Sequence, residues 1–224
     1  CVSIPPNTVF TVEYDLPRAA RAQYEEMRQH GMLLLNSGEA VTAVNAATVR
    51  NKLLQIASGA LYTGNGDEYA VLDEGRTELV LDLVEQRRHS LVAFQWKHQR
   101  DQLIAGATRR GYTFGVIDGA VTGADRNKVV RAFQEGKLKV VFAHPQSAGH
   151  GLTLVRGTAT IWASPTWNAE HYKQFNARIA RAGQTERTET ILVRARRTID
   201  EHVYNGLGQK LTSMQMFLDL MEAA

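Results

Sequence analysis

The residues of this chain with the plainest capacity for chemistry are Gln174, Arg178 and Arg181, within "QFNARIARAGQ", followed at once by Gly183 and Gln184. At roughly 100° per residue these three side chains fall within about 60° of one another on a helix, and Tyr172, Phe175 and Ile179 make a separate stripe. Such a helix keeps its apolar stripe in the core and sets two guanidinium forks beside it. Arginine in that place suits a phosphate, because its planar, permanently charged fork matches phosphate oxygens. Two arginines on a helix also describe an ordinary solvated face paired with carboxylates. The segment does not decide by itself.

A second segment of interest is "HPQSAGHGLTL", His144 to Leu154. Gly149 and Gly151 let backbone amides approach an anion closely, and Ser147 and Thr153 add hydroxyls. The same glycines would serve a plain tight turn. His150 has no partner at metal-ligand spacing and reads as a turn residue. A third small-residue turn, "VIDGAVTGADR", offers Gly119 and Arg126 to a phosphate backbone, with a helix-initiating loop as the alternative. Of the three tryptophans, Trp162 lies in an apolar run and reads as core. Trp167 sits in a loop before Asn168, where it is open to stacking.

The elements that must position these residues follow from periodicity. Thr8 to Leu16 alternates like a strand, "LPRAARAQYEEMRQHGMLLL" is a helix entered through Pro17, and "TVRNKLLQIASGALY" is a second helix; "GNGD" is a turn. After Gly75 helices and strands alternate: "SLVAF", "YTFGVI", "LKVVFA", "TATIWA" and "TETILVRA" are strands separated by amphipathic helices, one of them over 168–182. That rhythm gives βαβ units and a parallel sheet. The end, from Thr198 to Met221, reads as one long amphipathic helix.

Composition sets outer bounds. With 224 residues, 44% hydrophobic and 22% charged, the chain suits a globular core, and a net charge of +3 is compatible with nucleic acid without requiring it. A single cysteine, Cys1, excludes an intrachain disulfide and a cysteine zinc site, and suits a reducing compartment. No apolar run approaches the ~18 residues that span a bilayer, so no membrane partner is expected. The chain opens at Cys1 rather than Met, which points to a piece of a longer protein.

In their order, "LVAF", "VIDGAVTGADRNKVVRAFQ", "SAGHGLTL", "TWNAEHYKQFNARIARAGQ" and "ILVRARRTIDEHVYNGLGQK" resemble the C-terminal RecA-like lobe of superfamily-2 DNA helicases and translocases, in the SWI/SNF chromatin-remodeller-like branch. Gln174, Arg178, Arg181, Gly183 and Gln184 keep that branch's Q-x-x-x-R-x-x-R-x-G-Q spacing. The resemblance runs from about Gly75 to Lys210. It implies an α/β fold: a RecA-like parallel sheet flanked by helices at 75–196, an inter-lobe connector, mostly helical, at 1–74, and a C-terminal brace helix at 197–224.

By that likeness Arg181 is the principal arginine finger and Arg178 its partner, acting on the γ-phosphoryl group of ATP. Gln174, Gly149, Gly151 and Gln184 belong to the nucleotide side. Gly119, Arg126, Ser147, Thr153 and Trp167 contact DNA, which is double-stranded in this branch. Ala180 where the branch often has histidine, His150 where glycine is frequent, and "TWNA" for "DWNP" fit a divergent member encoded by a virus or mobile element. The implied localisation is intracellular, in cytoplasm or nucleoid.

No G-x-x-x-x-G-K-[ST] phosphate loop occurs in the sequence, nor a D-E-x-H-like metal-binding stretch. ATP and Mg²⁺ would therefore be held mainly by an N-terminal RecA-like lobe of the same full-length protein, and this chain alone is expected to be inactive. The competing readings are a non-catalytic RecA-like module that binds nucleic acid or protein, and an unrelated α/β enzyme with a small phosphorylated substrate. The lack of a nucleophile–base pair or of paired carboxylates argues against the last.

Overall fold

The computed structural model describes residues 4–36, 43–63, 68–148 and 151–207. They divide into two compact units: one spans Cys1–Val12 and Thr77–Val193, the other Glu13–Arg76 and Arg194–Ala224.

The first unit is built on a six-stranded sheet. Its strands are β1 (Asn7–Tyr14), β4 (Ser90–Ala93), β5 (Phe114–Ile117), β6 (Val140–Ala143), β7 (Ala159–Trp162) and β8 (Thr188–Ala195), in the order β1-β8-β7-β4-β6-β5. β4 runs parallel to both β6 and β7, with Val92 level with Phe142 on one side and Ile161 on the other. β5 pairs β6 and β7 pairs β8, also in parallel. Parallel strands need crossovers, and α4 (Lys97–Arg109), α5 (Gly123–Gln134) and α7 (Ala169–Asn176) lie in these connections, with α3 (Gly75–Glu85) leading into β4.

Helical cover on both faces explains why β4, β6 and β7 are buried at every position and read as unbroken apolar runs. Val92, Phe142, Ile161, Ile191 and Val193 from the strands meet Val80, Leu81 and Val84 of α3 and Leu103 of α4 in one core. At about 1.5–3 kcal/mol per fully buried side chain, this cluster fixes which strand ends lie side by side. β1 stands at an edge of this sheet, so part of the segment assigned to the connector contributes a strand.

The second unit holds α1 (Arg18–Asn36), α2 (Ala43–Ala57), the antiparallel pair β2 (Ala60–Tyr62) and β3 (Tyr69–Val71), and α8 (Ile199–Gly206). The sequence predicted that the second helix would run on to Tyr62. Instead it stops at Ala57, and Gly59 turns the chain at φ 102, where a Cβ would lie 2.4 Å from the Asp73 carbonyl oxygen. At the start of α8, buried Asp200 accepts from Arg76 Nη1 at 2.6 Å and from the Ala195 amide at 3.0 Å, while the Tyr24 hydroxyl accepts from the Ile199 amide at 2.7 Å. Burial pushes the Tyr24 phenol well above its ordinary value and keeps it neutral. The "GNGD" turn and the continuation of the last helix beyond Leu207 lie outside the described residues.

Candidate functional site

The helix that was to carry Gln174, Arg178 and Arg181 is shorter than its periodicity predicts. Asn168 caps α7, its side chain accepting from the His171 amide, but the helix ends at Asn176. One tertiary bond competes with continuation: the Leu154 amide donates to the Arg178 carbonyl at 2.9 Å, where a fourth-residue amide would otherwise bond. Trp162 Nε1 donates to the Asn176 side chain at Oδ1, 2.9 Å away. Amides 178 and 179 then bond three residues back rather than four, which tightens the chain into turns. The single helical stripe of three polar residues is thus not formed: Gln174 is on α7, and the two arginines follow it.

The turns nevertheless bring the arginines together. Arg178 Nη1 and Arg181 Nη1 both donate to the Leu152 carbonyl oxygen, at 3.3 Å and 3.2 Å. Arg178 is buried and Arg181 partly so. Burial, reinforced by the Arg181 guanidinium, pushes the Arg178 pKa below its ordinary value. A carbonyl is a neutral acceptor and cannot cancel that repulsion; a phosphate can. Among the described residues no ion pair engages Arg181.

Gln174 turns its amide back one helical turn, donating to Glu170 Oε1 at 2.7 Å. Gln184, expected on the nucleotide side, is held by bonds within the chain. It is buried, its NH₂ donates to the carbonyls of Val155, Gly157 and Ile179 at 3.1, 3.0 and 3.3 Å, and its oxygen accepts from the amides of Thr185 and Glu186. With every polar position of the amide in use, Gln184 ties the loop after Arg181 to the loop after Leu154. Gly151 is exposed at φ 71, a conformation that favours glycine, with open space where a Cβ would stand. Gly149 and His150 lie outside the described residues.

The carboxyl ends of β4, β5 and β6 frame a pocket of about 350 Å³ lined by Trp96, Lys97, Arg100, Gly119, His144 and Ser147 among others. Two of the predicted DNA contacts, Gly119 and Ser147, share this pocket; Arg126, Thr153 and Trp167 are not in its wall. Arg126 is partly buried on α5, and its Nε has no hydrogen-bond partner among the described residues. Trp162 is a core residue, packed on Tyr172 and Phe175 with both centroids at 5.1 Å. Sequence reading missed Lys97, Arg100 and His144. The signal available was position: each follows a parallel strand, and ligands of open parallel sheets collect at carboxyl ends.

Residues 75–183 match the model of the helicase conserved C-terminal domain. This segment is a helicase C-terminal domain. It contains the strand-end pocket and both arginines. Over 227 aligned residues the chain is 31% identical to protein p41 of Acyrthosiphon pisum secondary endosymbiont phage 1, covering 97% of this chain and 46% of that protein. The chain therefore spans about half the length of that relative.

Among solved structures, the C-terminal part of the Fun30 ATPase domain superposes with a TM-score of 0.76 at 14% identity, covering 99% of this chain and 97% of that one. The Sulfolobus solfataricus SWI2/SNF2 ATPase core in complex with dsDNA gives 0.70 at 18% identity, covering 98% and 47%. These likenesses show that the chain shares the RecA-like fold of those two structures, a parallel sheet flanked by helices. Among the described residues no helix is long and apolar enough to cross a membrane, and no group of three or more His, Cys, Asp or Glu is placed to hold a metal.

Proposed function

We propose that the chain is the second motor lobe of an ATP-dependent, DNA-stimulated translocase, supplying arginine fingers to a nucleotide held by another lobe and gripping duplex DNA. The observation that carries this reading is the pair Arg178 and Arg181 sharing the Leu152 carbonyl. These residues fit a phosphoryl group, since two adjacent cations on one neutral acceptor gain most from a polyanion. Because the sequence carries no G-x-x-x-x-G-K-[ST] phosphate loop, Mg²⁺ and the remaining triphosphate contacts are assigned to an N-terminal RecA-like lobe.

ATP supplies the bond whose hydrolysis drives the motor. Arg181 donates to the γ-phosphoryl oxygens as charge builds there, and Arg178 adds a second donor. Such a contribution is worth roughly 10³–10⁵ in rate. Gln174 steadies the end of α7. The Gly151–Thr153 backbone, joined to both arginines through the Leu152 carbonyl, carries the nucleotide state toward DNA contacts at Gly119, Ser147, Arg126 and Trp167. Residues 1–74 act as connector and those beyond 197 as a brace. The phage relative supports a phage-encoded motor acting inside a host cell.

Alone, the chain is inactive as an ATPase, for want of the phosphate loop. The test is Arg181→Ala in the full-length protein. ATP turnover should fall by about 10³ or more with duplex binding retained; unchanged turnover rejects the assignment. A non-catalytic DNA- or protein-binding module is the second reading, favoured by the strand-end pocket, which needs no ATP to hold a phosphate. It predicts duplex binding by a full-length protein whose ATP turnover ignores Arg181.

A further inference from the structure

His144 is the one histidine in the strand-end pocket, directly after β6 and ahead of the short helix α6 (Pro145–Ala148). Its amide donates to the Ile117 carbonyl at 2.9 Å, and its ring stands edge-on to Phe94 with centroids 5.9 Å apart. These two contacts hold the imidazole in the pocket wall between the ends of β4 and β5. Ser147, one turn further on, lines the same wall.

The charges around that ring are unevenly balanced. From α4 come Lys97 and Arg100; Arg100 is held by Asp101 at 2.8 Å and Asp118 at 2.9 Å, so much of its charge is offset. Asp118, at the end of β5, and His171 of α7 are the two titratable groups whose charge acts on His144. His144's own short helix contributes no ionisable residue. A proton on His144 therefore adds one unit of positive charge to a pocket whose other cations are largely committed within the protein.

We infer that His144 is a titratable contact to a DNA backbone phosphate, so that this lobe grips duplex DNA more tightly when the imidazole is protonated. The inference rests on the DNA-binding reading above and adds to it a residue and a condition. Backbone phosphates suit the site because a partly enclosed cationic notch recognises charge rather than base identity.

The sign follows from the surroundings. Burial, with His171 adding to it, holds the imidazole below its ordinary value of 6.5, and only Asp118 opposes this. His144 is thus neutral in mild base and takes its proton below that value. Asp118 is itself held below its ordinary 3.8, so it stays ionised throughout and does not confound the titration.

The test is equilibrium binding of a short fluorescent duplex to the 224-residue chain at constant ionic strength, from roughly pH 8 to about 5.5. Wild type should tighten roughly three- to fivefold on acidification, the worth of one partly exposed charge pair. The slope of log affinity against log salt should steepen by about 0.9, one further phosphate neutralised. His144→Gln should lose both changes. His144→Lys should bind at every pH as wild type does in acid, and His171→Gln should keep the response.

A His144→Gln variant that retains the full pH and salt response overturns the inference, as does a wild type with none. Transfer of the response to His171 overturns it as well. Duplex binding without His144 dependence leaves the motor-lobe reading standing; no duplex binding at any pH removes both. Thermal melting of each variant checks that its fold is intact.

Discussion

Arg178 and Arg181 meet on one oxygen, the Leu152 carbonyl, at 3.3 Å and 3.2 Å. A main-chain carbonyl cannot be deleted by substitution and offers no net charge, so this shared contact positions the two guanidinium groups without neutralising them. Arg181→Lys tests whether fork geometry or charge alone matters in the full-length ATPase. Lysine keeps the charge and loses the planar pair of donors. Turnover is expected to fall by about 10³, close to the alanine variant, with duplex affinity within about twofold of wild type. Near-wild-type steady-state hydrolysis by the lysine variant would show that a point charge suffices.

Gln184 bonds three carbonyls and two amides with one buried side chain. Gln184→Ala strands those groups, at roughly 1–3 kcal/mol for a buried polar atom left without a partner. The expected result is a lower denaturant midpoint with an unchanged m-value. Gln184→Glu should be worse, because a carboxylate cannot donate to Val155, Gly157 and Ile179. Wild-type stability in both variants would show that these five bonds add little to the fold.

The sheet was legible in the sequence because parallel strands buried on both faces leave unbroken apolar runs, as "VVFA" and "ATIW" do. The α7 terminus was not. A 3.6-residue period continues through Arg181, and nothing local announces that Leu154 will claim the Arg178 carbonyl. The arginines were picked out by type and spacing, and their meeting point is a carbonyl, which no side-chain pattern encodes. Lys97, Arg100 and His144 each look ordinary alone; only the strand order β4-β6-β5 brings their loops to one pocket.

Asp118 makes stability depend on acid. Burial works to raise its pKa, but the Arg100 guanidinium and the Ala120 and Val121 amides outweigh it and hold the value below the ordinary 3.8. A group depressed in the folded state contributes its stabilisation above the unfolded value and loses it as pH falls through the folded value. Unfolding free energy should therefore decline below about pH 4, and Asp118→Asn should remove on the order of 1 kcal/mol of that decline. Urea titrations in this range decide it; an identical acid decline in the variant would place the loss elsewhere.

Arg76 and Asp200 form a buried ion pair, with side-chain exposures of 2% and 1%. Arg76 also donates to the Ala57 carbonyl at 2.8 Å, and Asp200 receives the Ala195 amide, so the pair fastens the end of α2 to the start of α8. Removing one partner leaves a charge buried without its counterion, which costs about 3–5 kcal/mol; replacing both with apolar groups of similar volume costs far less. Asp200→Ala and Arg76→Ala should each lower the melting temperature sharply, and Arg76→Met with Asp200→Leu should recover much of the loss. If the double variant melts at the sum of the two single losses, the pair stabilises chiefly through its separate bonds to Ala57 and Ala195, and mutual attraction contributes little.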